Sequence, residues 1–236
     1  MYQLICHART GSTIVSHMMK IHGQQPWIDQ IGLTEYFNHK TYRIENNSLI
    51  IEPDYGRDSW DNVKRKLDFV LEQKNKQIDY SMKIFPDTLM KIAPNQNEWE
   101  TFKENLYEYL EDYKILNIKR HPYNHLLSFL YQKQTAWKKT HGLQKPELTN
   151  LVANKSHIES YKNMLDNNKV FFKKLRWYRV LDYDNLIPQC EEIFDMKFEG
   201  RVMEKMKNHI DYKSLLLEKD KEIIDNLYSK WLWKYA

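Results

Sequence analysis

The chain is poor in the residues that make linkers, staples and membrane spans. Six glycines in 236 residues leave no room for long flexible linkers. Two cysteines, Cys6 and Cys190, form neither a disulfide framework nor a metal pattern, and a reducing compartment is the default for such a chain. The nine histidines are scattered, with no carboxylate cluster at metal spacing, so no metal is expected. No run approaches the length of about 18 apolar residues that a membrane span needs. The apolar start, Met1 to Ile5, is too short for a secretory leader, and the chain reads as cytoplasmic. A net charge of +4, from 36 basic and 32 acidic residues, is too balanced for a nucleic-acid binder, whose basic residues gather in a stripe. Lys138-Lys139 and Lys173-Lys174 read as solvated helix faces.

What is present is core-forming material. Hydrophobic residues make up 42% and charged residues 29%, which supports a packed core and argues against disorder. The chain reads as one domain over residues 1–236. Tyr2 to Cys6 is a buried first strand, followed by a helix from Ser12 to Ile21. Tyr42 to Glu45 and Leu49 to Glu52 flank Asn46-Asn47-Ser48 as a hairpin. Asp58-Ser59 caps a helix whose apolar residues Trp60, Val63, Leu67, Val70 and Leu71 fall at three- and four-residue spacing. Tyr80 to Phe85 is a second core strand stopped by Pro86, and Trp99 to Leu110 is an amphipathic helix. Ile115 to Ile118 is a third strand, and Tyr123 to about Lys139 a long helix. A helix from Ser156 to Leu175, a strand from Trp177 to Leu181 and a helical remainder complete the chain. Strands alternating with helices predict an α/β fold: three layers, a central, mostly parallel sheet with helices on both faces. The terminal Trp-Leu-Trp-Lys-Tyr either anchors the last helix or meets a second copy in a homodimer.

Two stretches carry chemistry. In Ile5-Cys6-His7-Ala8-Arg9-Thr10-Gly11-Ser12-Thr13 a strand runs almost directly into a helix. Free N–H groups at such a helix start suit an anion. Gly11 permits close backbone approach, Ser12 and Thr13 bring hydroxyls, and Arg9 brings a charged fork. The first glycine and the lysine of the ordinary phosphate loop are absent. A capped helix after a buried strand would also fit these residue types. In the second stretch, a strand delivers Arg120, Pro122 opens a helix, and Ser128 follows eight residues after Arg120. Arg120 then lies at a strand's carboxyl end, where open parallel sheets bind ligands, although an arginine pairing with a helix end reads equally well in isolation.

Together the two stretches resemble the sulfotransferases that use 3′-phosphoadenosine-5′-phosphosulfate (PAPS). Arg9-Thr10-Gly11-Ser12-Thr13 looks like that family's R-[ST]-G-[ST]-[ST] loop for the 5′-phosphosulfate, and Arg120 with Ser128 looks like its 3′-phosphate pair. Further segments are similar to a small bacterial branch that sulfates carbohydrates: Gly32-Leu33-Thr34-Glu35-Tyr36-Phe37, Met82-Lys83-Ile84, the helix Tyr131 to Trp137, and the strand end Asp182 to Leu186. Two features depart from the pattern. His121 follows Arg120 where an acidic residue is more usual, and residues 39–55 match no segment of the family, so the acceptor is not inherited.

The resemblance implies a P-loop-like sulfotransferase fold and transfer of a sulfuryl group from PAPS to a hydroxyl acceptor, a carbohydrate or small metabolite, without a metal. It gives Arg9 the bridging oxygen and sulfonate, Thr10 to Thr13 the 5′-phosphate, and Glu35 the acceptor proton. His7 is a second base by its position in the loop and its near-neutral titration, or a packing residue. Lys83, mid-strand among apolar neighbours, needs an anion or solvent and is placed near sulfonate or acceptor. Trp137 stacks on adenine or a sugar, or fills core. Two other readings stay open: a small nucleotide-dependent kinase, and a non-catalytic nucleotide-binding module.

Overall fold

The protein is described from a computed structural model that covers residues 1–22, 42–45, 48–51, 60–77, 80–135, 148–197 and 210–235. These form two compact units, one of residues 1–118 and 167–197, the other of residues 119–166 and 198–236.

The first unit is built on a parallel sheet. Strand β1 (Tyr2–Ile5) pairs in parallel with β4 (Lys83–Ile84) on one side and with β5 (Lys114–Lys119) on the other. Strand β6 (Trp177–Asp182) follows β5, giving the order β4-β1-β5-β6. Alternation along β1 sends neighbouring side chains to opposite faces. Ile5 joins Ile84 and Ile115 in a core closed by α2 (Trp60–Asn75) and α4 (Gln96–Leu110), through Val63, Leu67, Val70, Phe102, Leu106 and Tyr109. On the other face Tyr2 meets Phe194 of α7 (Leu186–Phe194) edge-on, 5.3 Å between ring centroids, and α7 in turn packs against α1 (Ser12–His22). The predicted α/β architecture, a parallel sheet with helices on both faces, is therefore what this unit has.

Boundaries follow local chemistry. Asn95 caps α4 by accepting from Glu98 N–H at 2.9 Å, and Glu98 takes the indole N–H of Trp60 at 3.1 Å, tying α4 to α2. The hairpin forms between β2 (Tyr42–Glu45) and β3 (Ser48–Ile51), with Glu45 opposite Ser48. Its expected neighbour, the Asp58-Ser59 cap, lies outside the described residues.

Two expectations are corrected. The second core strand is Lys83–Ile84 alone, and a short helix α3 (Pro86–Ile92) follows where Pro86 reads only as a stop. Proline tolerates a helix's first turn, and Pro86 opens α3. The strand is short because a side chain replaces part of its ladder. Gln3 Nε2 donates to Tyr80 O at 2.7 Å, and Met82 N–H donates to Gln3 Oε1 at 2.7 Å.

In the second unit, α5 (Pro122–Gln134) packs Leu126, Leu127 and Leu130 into the interior. It ends at Gln134, earlier than the apolar spacing suggests. Thr135 is extended, and both its hydroxyl (2.8 Å) and its N–H (3.0 Å) close on Tyr131 O. The unit also contains the first part of α6 (Lys155–Phe172) and α8 (Glu218–Lys230). Asp220 on α8 accepts Ala153 N–H at 2.8 Å, and Tyr235 is hydrogen-bonded to Asp166. Among the described residues no helix is long and apolar enough to cross a membrane.

Candidate functional site

The loop after β1 belongs to the first unit. The backbone is left-handed at Arg9 (φ 70°) and again at Gly11 (φ 85°). Glycine adopts this region without penalty, whereas for an L-residue such as arginine it is uncommon and costs free energy. The bracketed Thr10 is buried, and its hydroxyl donates to His7 O at 2.8 Å, closing the loop on itself. Ile14 N–H returns to Gly11 O at 2.9 Å as α1 begins. No acidic side chain occupies the first turn of α1, a charge pattern that suits an anion at the helix N-terminus.

Gly11 is also a close-approach point. A Cβ there would lie 3.0 Å from Tyr183 Cε2 and 3.1 Å from Leu186 Cδ2. The Asp182 to Leu186 strand end, singled out in the sequence, thus packs on the loop glycine. Thr13 lies at position two of α1. Ser12 is buried, and its hydroxyl and that of Thr10 both interact with the Cys6 thiol. Burial pushes this thiol up to about 11, and the two hydroxyls and the Lys83 charge only partly offset it. Cys190 on α7 is likewise pushed up to about 12 by burial, with Arg179 opposing.

Lys83 sits beside Leu4 in the sheet register, 2% exposed, with its ammonium 5.3 Å from the Phe85 ring centre. His7 is also held in place. Its Nδ1 lies 2.7 Å from Asn168 Nδ2, and its ring meets Phe172 edge-on at 4.9 Å. Burial pulls its pKa down to about 4. Folded His7 therefore resists a proton that the unfolded chain takes up near pH 6.5. Its contribution to stability is complete above that value and is lost as the pH falls from about 6.5 to 4. Urea melts at pH 7.5, 5.5 and 4.5 should show this loss, and His7→Gln should flatten the dependence.

The second unit holds the other pair. Arg120 is 7% exposed at the end of β5, and its charge acts on the phenol of Tyr161, opposing the upward push that burial gives it. Tyr161 OH also lies 2.9 Å from His125 Nδ1. One turn along α5 from His125, Ser128 is 1% exposed, and its hydroxyl has no hydrogen-bond partner among the described residues. His121 stacks on Tyr228, with 5.6 Å between ring centres.

His7, Arg9 to Thr13 and Lys83 thus lie in the first unit, and Arg120 and Ser128 in the second. Glu35 and Trp137 lie outside the described residues. Asn168, Gln3, Tyr161 and His125 were not legible as site or support residues; each acts through long-range hydrogen bonds that no local pattern announces. Among the described residues no group of three His, Cys, Asp or Glu side chains is placed to hold a metal.

No family model matches the chain, and no curated protein matches it. Among solved structures it is similar to a sulfotransferase from Alicyclobacillus acidocaldarius, with 12% identity over 99% of this chain and 97% of that one and a TM-score of 0.41.

Proposed function

We propose that the chain is a sulfotransferase that moves a sulfuryl group from PAPS to a hydroxyl of a carbohydrate or small metabolite. The carrying observation is the left-handed Arg9 at the exit of β1. A charged residue kept in a conformation that glycine would adopt without strain is the pattern expected where the side chain serves a ligand. In this reading the loop amides with Ser12 and Thr13 hold the 5′-phosphate, and Arg9 steadies the bridging oxygen and the sulfonate. Lys83 supports the same charge. Arg120 and Ser128 hold the 3′-phosphate, Glu35 takes the acceptor proton, and Trp137 stacks on a ring of donor or acceptor. The acceptor oxygen forms its bond to sulfur as the bridging S–O bond breaks, and 3′-phosphoadenosine-5′-phosphate leaves. Such a transfer depends on positioning and charge stabilisation.

The test is a thermal-shift titration with 3′-phosphoadenosine-5′-phosphate beside ATP plus Mg²⁺. Ligand at 100 times its dissociation constant adds about 2.7 kcal/mol. In a chain of this size that raises Tm by roughly 5–10 °C. A shift with the 3′-phosphorylated nucleotide, lost in Arg120→Ala, supports the reading. A shift with ATP and Mg²⁺ alone replaces it with a kinase, and nucleotide binding without turnover replaces it with a binding module.

Ser128→Ala separates binding from folding. Removing a buried hydroxyl that lacks a partner relieves a desolvation cost of about 1 kcal/mol, so the free protein should melt no lower than wild type. Nucleotide affinity should nevertheless fall about tenfold, since one hydrogen bond to a charged group is worth about 1.5 kcal/mol. Calorimetry on both proteins reads the two effects independently.

A further inference from the structure

The side-chain amide of Asn168 is 1% exposed and engaged at both ends. Its Oδ1 accepts the N–H of Asp87 at 2.8 Å, an amide in the first turn of α3. A backbone N–H can only donate, so that end of the amide is the oxygen and the other end is NH₂. The NH₂ lies 2.7 Å from His7 Nδ1. A donor there must meet a lone pair, and a neutral imidazole with a lone pair on Nδ1 carries its proton on Nε2. Burial keeps the ring neutral: the Phe172 ring covers one side, and the Asp87 carboxylate is paired with Lys91 at 2.5 Å.

We propose that Asn168 is a positioning residue that locks His7 as an Nε2–H donor in the loop after β1. His7 then donates a hydrogen bond to an anionic oxygen of the bound nucleotide and does not take the acceptor proton. The donor role rests on the sulfotransferase reading; the lock does not. A carboxylate at position 168 would do the opposite. It would still accept from Asp87, but its second oxygen would draw the imidazole proton to Nδ1 and turn Nε2 into a base.

Long-range ¹H–¹⁵N spectra of the full-length ¹⁵N-labelled protein, with His7 assigned by its loss in His7→Gln, test the lock. Expected is a single Nε2–H tautomer with no protonation between pH 8 and 5. In Asn168→Asp the proton should move to Nδ1 and the titration midpoint should rise. Nδ1–H in the wild type, or protonation near the ordinary histidine value, overturns the lock without reference to any variant. The donor role is read by calorimetry with 3′-phosphoadenosine-5′-phosphate. His7→Ala should weaken binding about tenfold, and His7→Gln, which restores an N–H, should recover most of the loss. Equal binding by wild type and His7→Ala overturns the donor role and leaves the sulfotransferase reading intact. No binding by the wild type overturns that reading and the donor role with it, while the spectra still decide the lock.

Discussion

Arg9→Gly should abolish most sulfuryl transfer while leaving the fold close to its wild-type stability. The two effects come from different parts of one residue. The backbone of Arg9 is left-handed, and glycine adopts φ 70° without the penalty of about 1 kcal/mol that arginine bears there. That relief offsets the packing lost with the side-chain stem. The guanidinium, by contrast, is assigned to charge that develops on the bridging oxygen. Removal of one preorganised donor from such a position typically costs about 10²–10³ in kcat. A melt and a steady-state assay with PAPS on the same preparation check both halves. A large drop in Tm would mean that Arg9 is held for structure, and the site reading would lose its main support.

Gln3→Leu should be the most damaging single change to the first unit outside its apolar core. Gln3 is fully buried and stands in for the ladder that β4 does not form, joining Tyr80 O and Met82 N–H. The two orphaned groups differ. Tyr80 O keeps the Tyr109 hydroxyl at 3.3 Å, whereas Met82 N–H loses its partner to an apolar side chain. One buried donor left unpaired and one lost hydrogen bond together cost about 2–4 kcal/mol. In a chain of this size that lowers Tm by roughly 5–15 °C. Hydrogen exchange at Met82 should rise with it. An unchanged melt would show that the β1–β4 seam depends on Leu4 and Cys6 alone, whose amides reach Met82 O at 2.8 Å and Ile84 O at 3.2 Å.

These two residues mark what the sequence discloses. The periodic elements were legible because burial enforces periodicity: Trp60, Val63, Leu67 and Val70 lie on one stripe, and Ile5, Ile84 and Ile115 meet on one face. The loop after β1 was legible because Gly11 and the flanking hydroxyls are compact in sequence. Its left-handed Arg9 was not, since backbone strain has no composition. Gln3 reads as an ordinary polar residue in a short apolar run, and Asn168 as one of a polar pair late in a helix. Their partners lie 77 and 161 residues away, and only tertiary structure brings them together. The short β4 and the unforeseen α3 have the same origin: a side chain replaced the ladder, and a proline that reads as a stop served as a start.

The burial of the two cysteines has a practical consequence. A thiol whose pKa lies near 11 or 12 presents almost no thiolate at neutral pH, and both side chains are shielded from reagent. Cys6 opens the proposed anion loop and Cys190 lies on α7, so each becomes alkylatable only when its part of the first unit opens. Modification mass spectrometry at the two positions is then a built-in clock for local opening. It needs no engineered probe and distinguishes a nucleotide that tightens the loop at Cys6 from one that stabilises the whole unit.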